Sequence, residues 1–152
     1  MKPLLVLLFI FLLSVFISKI STQKYDLSLS ARIAMCAMLF FTAIGHFAFT
    51  KGMSMMIPWF IPLKTELIYL TGFIEILLGI GLLIPRFKIY TGWILIAFFI
   101  LLLPANIYAT IKHIDYQKGT YDGNGLNYLW FRVPLQLFFI FWVYLSSLKN
   151  YF

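Results

Sequence analysis

The sequence predicts an all-α protein, a transmembrane helical bundle with five spans. Of its 152 residues, 62% are hydrophobic and 11% are charged. An ordinary soluble domain carries about 25% charged residues. The mean hydropathy is +0.95, and five apolar runs are each close to the roughly 20 residues that cross a bilayer. A lipid-facing exterior suits this composition, so we expect an integral membrane protein with no soluble domain.

The charged residues lie where helix ends meet the membrane surface. The formal charge of +7 arises from 12 Lys and Arg against 5 Asp and Glu. The basic residues between the apolar runs are Lys19, Lys24, Lys51, Lys64, Arg86, Lys88, Lys112 and Lys118. Such positions contact anionic headgroups and help to set topology. The predicted partner of this charge is therefore the lipid bilayer, and no nucleic-acid partner is predicted.

The first two predicted helices cover residues 3–20 and 27–50. The first could be a secretory signal, but its apolar stretch of about 18 residues exceeds the usual core of roughly 7–15. No Ala-x-Ala cleavage site follows it. It is therefore predicted to be a retained helix. Ser28 and Ser30 are the predicted N-cap residues of the second helix, because a hydroxyl there can accept from a free backbone N–H.

The other three predicted helices cover residues 65–84, 88–111 and 128–148. Pro85 ends the third helix, and the tight turn after it makes the third and fourth helices antiparallel neighbours. The third helix contains Gly72, Gly79 and Gly81, which allow other helices to approach it closely. With no internal repeat or linker, the chain is predicted to be one transmembrane domain, residues 1–152.

Two connections differ strongly in character. Residues 51–64 are too apolar for a solvated loop, and their prolines exclude a long helix. We expect this segment to lie in the membrane interface or to fold back as a lid, with Pro58, Trp59 and Pro62 over the mouth of the bundle. Residues 113–127 are polar, and 121–125 are typical of consecutive turns.

Five of the polar residues inside the predicted spans are candidate site residues. They are His46, Glu75, Asn106, Arg132 and Gln136. The second and fourth helices end on the face where the third and fifth begin, so all five occupy the same half of the membrane. Ionisable groups inside a bilayer are costly and usually functional. These residues are therefore the predicted lining of a ligand-binding pocket.

Glu75 is the most deeply placed of the five. A lone carboxylate there would be neutralised or paired, and Arg132 is the basic residue at a comparable depth. Arg132 and Gln136 are four residues apart and share a helix face. The predicted Glu75–Arg132 pair fits a structural lock as well as it fits a ligand pocket.

His46 has three candidate roles: a proton carrier, a ligand contact, or an interfacial residue hydrogen-bonded to the lid, of which the last is favoured. A haem site with His113 lacks any further ligand motif. His46 and Glu75 alone give too few ligands for a metal, so no metal is predicted.

Phosphate-binding glycine loops, nucleophile elbows and paired catalytic carboxylates are missing from the sequence. Cys36 is the single cysteine; it excludes an intramolecular disulfide and a dithiol centre and is predicted to be a small buried residue.

Several of these segments together resemble the DoxX-like bacterial membrane proteins. They are Gly45-His46-Phe47, the run Thr71-Gly72-Phe73-Ile74-Glu75 with the glycines that follow it, Pro104-Ala105-Asn106, and Arg132-Val133-Pro134-Leu135-Gln136. The resemblance covers residues 32–144. It implies a four-helix core at about 28–148, from which the helix at 3–20 departs. It also implies a multi-pass protein of the bacterial cytoplasmic (inner) membrane, linked to membrane oxidoreduction with thiosulfate or quinone chemistry. A quinone is then a candidate cofactor.

The leading functional hypothesis is a small-molecule-binding or redox-accessory membrane protein. Glu75 would accept a hydrogen bond or a proton, and Arg132 would hold an anionic or carbonyl oxygen as a forked donor. Asn106 and Gln136 would fix the orientation of a quinone headgroup or a small sulfur oxyanion. The alternative is a non-catalytic structural or assembly subunit, with a membrane protein or a second copy as its partner. A transporter is disfavoured, because the sequence has no inverted repeat.

Overall fold

The computed structural model describes residues 2–149 as a bundle of helices. They are α1 (Lys2–Thr22), α2 (Leu27–Ala48), α3 (Thr50–Met55), α4 (Lys64–Leu83), α5 (Lys88–Ile111) and α6 (Leu126–Val143), and α6 continues into a π-helical turn (Tyr144–Leu148). All except the short α3 are long and apolar enough to cross a membrane. The predicted all-α architecture with five spans is confirmed.

The start of α2 differs from the prediction. Asp26 is the N-cap residue, and its side chain accepts from the backbone N–H of Leu29 at 2.9 Å. Ser28 and Ser30 are buried instead. The hydroxyl of Ser28 donates to the carbonyl oxygen of Ser146 at 2.9 Å. The predicted serine caps are therefore wrong, because the helix begins one residue before Ser28 and turns the serines towards the end of α6.

Helix α2 packs against more elements of the bundle than any other helix. It packs against α1, α4 and the end of α6, while α4 packs against α5 and α5 against α6. Four antiparallel helices therefore form a ring, and α1 lies outside it against α2. Trp142 connects these parts: its indole N–H donates to the carbonyl oxygen of Ala31 at 3.1 Å, and its ring meets Phe11 of α1 edge-on at 5.0 Å.

Glycines bring α4 close to both of its neighbours, as the sequence predicts. A Cβ added at Gly79 would lie 3.3 Å from the sulfur of Cys36, which is buried as expected. A Cβ at Gly81 would lie 2.6 Å from the hydroxyl oxygen of Thr91 on α5. These contacts bring the backbones together, which is how helices associate where lipid removes the hydrophobic driving force.

We expect Gly81→Ala to destabilise the protein by about 1–3 kcal/mol, because the new methyl group overlaps the Thr91 side chain. Thermal unfolding in mild detergent measures this effect. The double variant Gly81→Ala/Thr91→Ala removes the overlapping atoms and should recover most of the lost stability. Equal destabilisation of the single and double variants would contradict the account of this contact.

Arg32 occupies the end of the bundle opposite to α3. It is only 8% exposed. Its Nη1 donates to the carbonyl oxygen of Leu82 at 3.2 Å, and its Nε donates to that of Ser28 at 3.4 Å. Leu82 lies in the last turn of α4, where carbonyl oxygens have no helical partner and attract positive charge. Arg32 therefore stabilises the end of α4.

Candidate functional site

A buried acid–base pair joins α2 to α4. The Nε2 atom of His46 lies 3.3 Å from Oε1 of Glu75. Glu75 is 4% exposed and His46 is 8% exposed. The two helices are antiparallel, so residues near the end of α2 lie beside residues in the first half and the middle of α4. The predicted Glu75–Arg132 pair is wrong, because the partner of Glu75 is His46.

Two threonines extend this pair at both ends. The Thr42 hydroxyl lies 2.7 Å from Oε2 of Glu75, and the Thr71 hydroxyl lies 3.0 Å from Nδ1 of His46. Nδ1 is also 3.2 Å from the carbonyl oxygen of Ile68. The result is a continuous hydrogen-bonded row, Thr71–His46–Glu75–Thr42. Every polar atom of its two ionisable side chains has a partner within the chain.

The neighbouring residues explain how a bulky imidazole fits between the two helices. Gly72 lies opposite His46, where an added Cβ would be 3.0 Å from the Cβ of His46. Beside it, Phe47 stacks on Tyr69 at 5.7 Å and meets Phe73 edge-on at 5.5 Å. Gly72 provides the space, and the aromatic cluster lies beside it on the exposed surface of α2 and α4.

A second polar cluster joins α5 to α6. The Nη2 of Arg132 donates to Oδ1 of Asn106 at 2.9 Å, and its Nη1 donates to the Tyr128 hydroxyl at 3.3 Å. The guanidinium carbon also lies 5.8 Å from the centre of the Tyr128 ring. Within residues 2–149, Arg132 has no carboxylate within ion-pair distance. The positive charge of this half-buried side chain is therefore held by neutral groups alone.

A small cavity of about 30 Å³ lies beside the Arg132 guanidinium. It has room for about two water-sized groups. Its polar walls include Asn106, Thr110, Asn124 and Tyr128. The other lining residues are Met56 just after α3, Ala109 of α5, Ile114 and Tyr116 of the α5–α6 loop, and Gly125 just before α6. This cavity places a positive charge and hydrogen-bonding groups next to space that a ligand atom could fill.

The loop that covers this cavity is internally hydrogen-bonded. Asp115 accepts from the backbone N–H groups of Gln117 at 3.0 Å and Lys118 at 3.2 Å. The Thr120 hydroxyl donates to Asp122, and this bond, helped by the charge of Lys118, lowers the pKa of Asp122. Asp115 therefore stabilises a turn at residues 116–119, which precedes the turns predicted at 121–125, where the structure has bends at 121 and 123.

Gly52 of α3 fixes the position of the loop relative to the bundle. A Cβ at Gly52 would overlap the backbone carbonyl of Tyr116. Phe49, just before α3, meets the Tyr116 ring edge-on at 6.1 Å. The two connections at this end of the bundle therefore pack directly against each other, and residues of both line the cavity beside Arg132.

The segment predicted to be a lid has a different arrangement. Trp59 is 83% exposed, and Pro62 is also exposed, while Pro58 is half-buried. Only Met56 from this segment lines the cavity. Trp59 therefore does not cover a pocket, so of the two alternatives predicted for this segment the lid is wrong. An indole prefers the membrane–water interface, where its apolar ring and its N–H are both accommodated, and this preference accounts for its exposure.

Gln136 belongs to neither cluster. It is buried, and its side-chain amide donates to the carbonyl oxygen of Phe99 on α5 at 3.0 Å. The five predicted pocket residues therefore do not line one cavity. The structure divides them into the His46–Glu75 pair, the Arg132–Asn106 cluster and the separate Gln136 contact. The favoured role for His46, a bond to the lid segment, is also wrong because both ring nitrogens are engaged between α2 and α4.

The sequence analysis missed three hydroxyl groups of these clusters. Thr42 precedes His46 by four residues, Thr71 precedes Glu75 by four, and Tyr128 precedes Arg132 by four. Residues at this spacing share a helix face. On antiparallel helices, the first two pairs lie side by side, so Thr42 meets Glu75 and Thr71 meets His46. This spacing is the sequence signal that could have identified them.

An apolar groove runs between α1 and α6. It has a volume of about 470 Å³. Its lining residues are Leu4, Leu8, Trp130, Phe131, Pro134, Leu135 and Phe138. These side chains lie on a different face of α6 from Arg132, so the groove and the polar cavity are separate features.

The fold and these buried clusters define the chain as a multi-pass membrane protein with a helical-bundle core. The chain belongs to a family described as a domain of unknown function (DUF8561), whose model matches residues 35–147. The matched region runs from within α2 to the π-helical turn and does not include α1. No curated protein and no solved structure matches the chain.

Proposed function

We propose that this protein binds a small molecule in the membrane through Arg132, which receives an anionic or carbonyl oxygen of the ligand. One observation carries the proposal: within the described chain, Arg132 has no carboxylate partner and lies on the wall of a cavity. A half-buried guanidinium without a counter-ion attracts an oxygen ligand strongly, because charge-assisted hydrogen bonds are the stronger kind.

The neighbours of Arg132 favour a ligand that presents a single oxygen. Asn106 and Tyr128 each occupy one terminal nitrogen of the guanidinium, and these contacts fix its plane. The cavity of about 30 Å³ has room for one or two ligand atoms, such as a carbonyl oxygen, but not for a quinone ring. A quinone would therefore place one carbonyl oxygen in the cavity and keep its ring outside, whereas a small oxyanion would insert one of its oxygens.

The resemblance to DoxX-like proteins supports a more specific form of the proposal. The protein would reside in a bacterial cytoplasmic membrane and act as an accessory to oxidoreduction of a quinone or a sulfur compound. The His46–Glu75 pair is not required for binding, because it is closed within α2 and α4.

We expect Arg132→Met to weaken ligand binding about ten- to a hundredfold, since a hydrogen bond to a charged group contributes about 1.5–3 kcal/mol. The measurement is calorimetric titration of the detergent-solubilised protein with sodium thiosulfate and with a short-chain ubiquinone. Native mass spectrometry of the same samples detects any molecule that co-purifies.

Arg86→Met is the matched control, because Arg86 is an exposed arginine in the turn between α4 and α5. This variant should bind like wild type. The proposal is overturned if folded wild-type protein carries no small molecule and binds neither probe. Equal binding by wild type and Arg132→Met would overturn it as well.

The alternative is a structural or assembly subunit of a larger membrane complex. It is favoured by the complete internal pairing of the buried polar groups: among the described residues, no buried side-chain nitrogen or oxygen lacks a hydrogen-bond partner. Such a subunit should be recovered from native membranes with a stoichiometric protein partner or as a homo-oligomer. Recovery of a monomer with a bound small molecule would exclude this alternative.

A further inference from the structure

The hydrogen bonds around His46 and Glu75 allow a second inference, independent of ligand binding at Arg132. We propose that this pair is a reversible proton-binding site inside the membrane, exchanging protons with the face where α2 ends. The ligand is the proton itself. A pair that only holds α2 and α4 together needs hydrogen bonds for all its polar atoms in one protonation state. The His46–Glu75 pair can form such hydrogen bonds in two protonation states.

The His46 side of the pair accommodates either state of Nδ1. The Thr71 hydroxyl lies 3.0 Å from Nδ1 and 2.9 Å from the carbonyl oxygen of Ile68. An unprotonated Nδ1 accepts from Thr71. A protonated Nδ1 donates to Ile68, which is 3.2 Å away, while the Thr71 hydroxyl turns to the same carbonyl. The exchange moves hydrogens and requires no movement of heavier atoms.

The Glu75 side has the same property. The Thr42 hydroxyl lies 2.7 Å from Oε2 of Glu75 and 3.0 Å from the carbonyl oxygen of Leu39. It donates to an ionised carboxylate. It accepts from a protonated one and then donates to Leu39. Each threonine therefore has an alternative backbone acceptor one helical turn earlier, so neither protonation state leaves a buried polar group unpaired.

The proton count of the pair is simple. Neutral imidazole with ionised carboxylate carries one negative charge. One added proton makes the pair neutral, either as imidazolium with carboxylate or as imidazole with carboxylic acid. The proton comes from the aqueous phase and returns to it. No covalent bond between heavy atoms changes, and no redox partner is needed.

Other titratable groups on the surrounding helices are engaged or lie at helix ends. Arg132 on α6 is held by Asn106 and Tyr128, and Arg32 at the opposite end of α2 is held by Leu82. Cys36 faces Gly79, one α4 turn beyond Glu75. The remaining groups near this face are exposed or half-buried, and they include Lys51 on α3, Lys64, Glu66 and Tyr69 on α4, Tyr108 on α5, and Lys112 and His113 after it. None of these groups hydrogen-bonds to His46 or Glu75, whose partners are each other, Thr42, Thr71 and Ile68.

Access for the proton lies on the His46 side. His46 is two residues from the end of α2, and Thr71 is half-buried. Beyond Thr42, the α2–α4 interface consists of the Cys36–Gly79 contact and buried apolar side chains such as Leu39 and Leu78, which separate the polar row from the Arg32–Leu82 hydrogen bond at the far end. The polar row therefore lies towards one end of the bundle and does not continue to the other, which describes a proton-binding site rather than a channel.

Infrared difference spectroscopy of the full-length protein in lipid bilayers, recorded against pH, tests the proposal. Wild type should show a titration with carboxyl and imidazole bands that disappears in Glu75→Gln. Glu66→Gln should retain it, because Glu66 is the other glutamate and is exposed in the first turn of α4. Glutamine can accept from His46 and donate to Thr42, so the variant keeps the hydrogen bonds of the pair.

The Thr71→Val variant distinguishes a proton-binding site from a pair with a purely structural role. The valine removes the hydroxyl beside Nδ1, so the midpoint of the Glu75-dependent titration should differ from that of wild type. An unchanged midpoint would overturn the proposal, as would a wild-type spectrum with no Glu75-dependent titration. If Glu75→Gln fails to fold, the pH dependence of the His46 signals in ¹⁵N NMR of wild type decides the same question. Constant His46 signals would then refute the proposal, whatever is found for ligand binding at Arg132.

Discussion

Replacing Glu75 with leucine should destabilise the protein by about 3 kcal/mol, because it leaves His46 buried without its acceptor. Replacing His46 with leucine should have a similar effect, since it leaves a buried carboxylate. The double variant His46→Leu/Glu75→Leu should recover to within about 1 kcal/mol of wild type, because a well-packed apolar pair can replace a buried ionic one. In the double variant, the hydroxyls of Thr42 and Thr71 can still donate to the carbonyl oxygens of Leu39 and Ile68.

The measurement is a double-mutant cycle on unfolding in mild detergent, which isolates the coupling between the two side chains. Glu66→Leu is the control for the loss of a glutamate from α4, and it should change stability by less than about 1 kcal/mol, since Glu66 is exposed. Additive effects of the two single changes would mean that His46 and Glu75 do not interact, contrary to the structure.

The second large effect is expected from Gly52→Ala. The added Cβ overlaps the backbone carbonyl of Tyr116, and backbone atoms cannot rotate away as a flexible side chain can. Either α3 or the α5–α6 loop must move, at a cost of about 3 kcal/mol. Because Tyr116 and Met56 line the Arg132 cavity, the same change should weaken ligand binding there.

Hydrogen exchange of the loop at residues 112–125, with thermal unfolding of the same sample, detects the displacement. Gly45→Ala is the matched control, because its Cβ would lie at an ordinary contact distance of 3.5 Å from Met53. We expect faster exchange in the loop for Gly52→Ala and unchanged exchange for Gly45→Ala. Identical exchange in both variants would show that α3 does not fix the loop.

The lengths and positions of the apolar runs were sufficient to predict the five spans. The same runs also indicate depth, because each residue lies a fixed rise along its helix from the membrane surface. Depth alone therefore predicts that His46 and Glu75 lie in the same half of the bilayer. Depth does not specify the rotation of a helix or the order of helices around a ring. Arg132 was therefore assigned to Glu75, although its side of α6 faces Asn106 on α5.

The remaining errors have local physical causes. The sequence leaves residues 51–64 two alternatives, the membrane interface or a lid over the bundle, because an apolar connection can be covered by lipid or by protein. The exposure of Trp59 and Pro62 contradicts the lid and fits the interface, which accommodates such residues. Arg32 received no structural role, because its contact with Leu82 depends on where α4 ends relative to α2. The contacts of Thr42 and Thr71 could have been predicted, because each threonine lies four residues before His46 or Glu75 on the same helix face. The DoxX-like resemblance stays a prediction.

Solid-state NMR in lipid bilayers tests the separation of the two polar clusters most directly. The chain contains two histidines and two glutamates, so ¹⁵N-labelled histidine and arginine with ¹³C-labelled glutamate give almost site-specific signals. The structure predicts magnetisation transfer between the Glu75 carboxyl carbon and the His46 ring, which Glu75→Gln abolishes, and no transfer from Glu75 to the Arg132 guanidinium. Transfer between Glu75 and Arg132 would contradict the account, because Arg132 would then have a counter-ion and no free charge to offer a ligand.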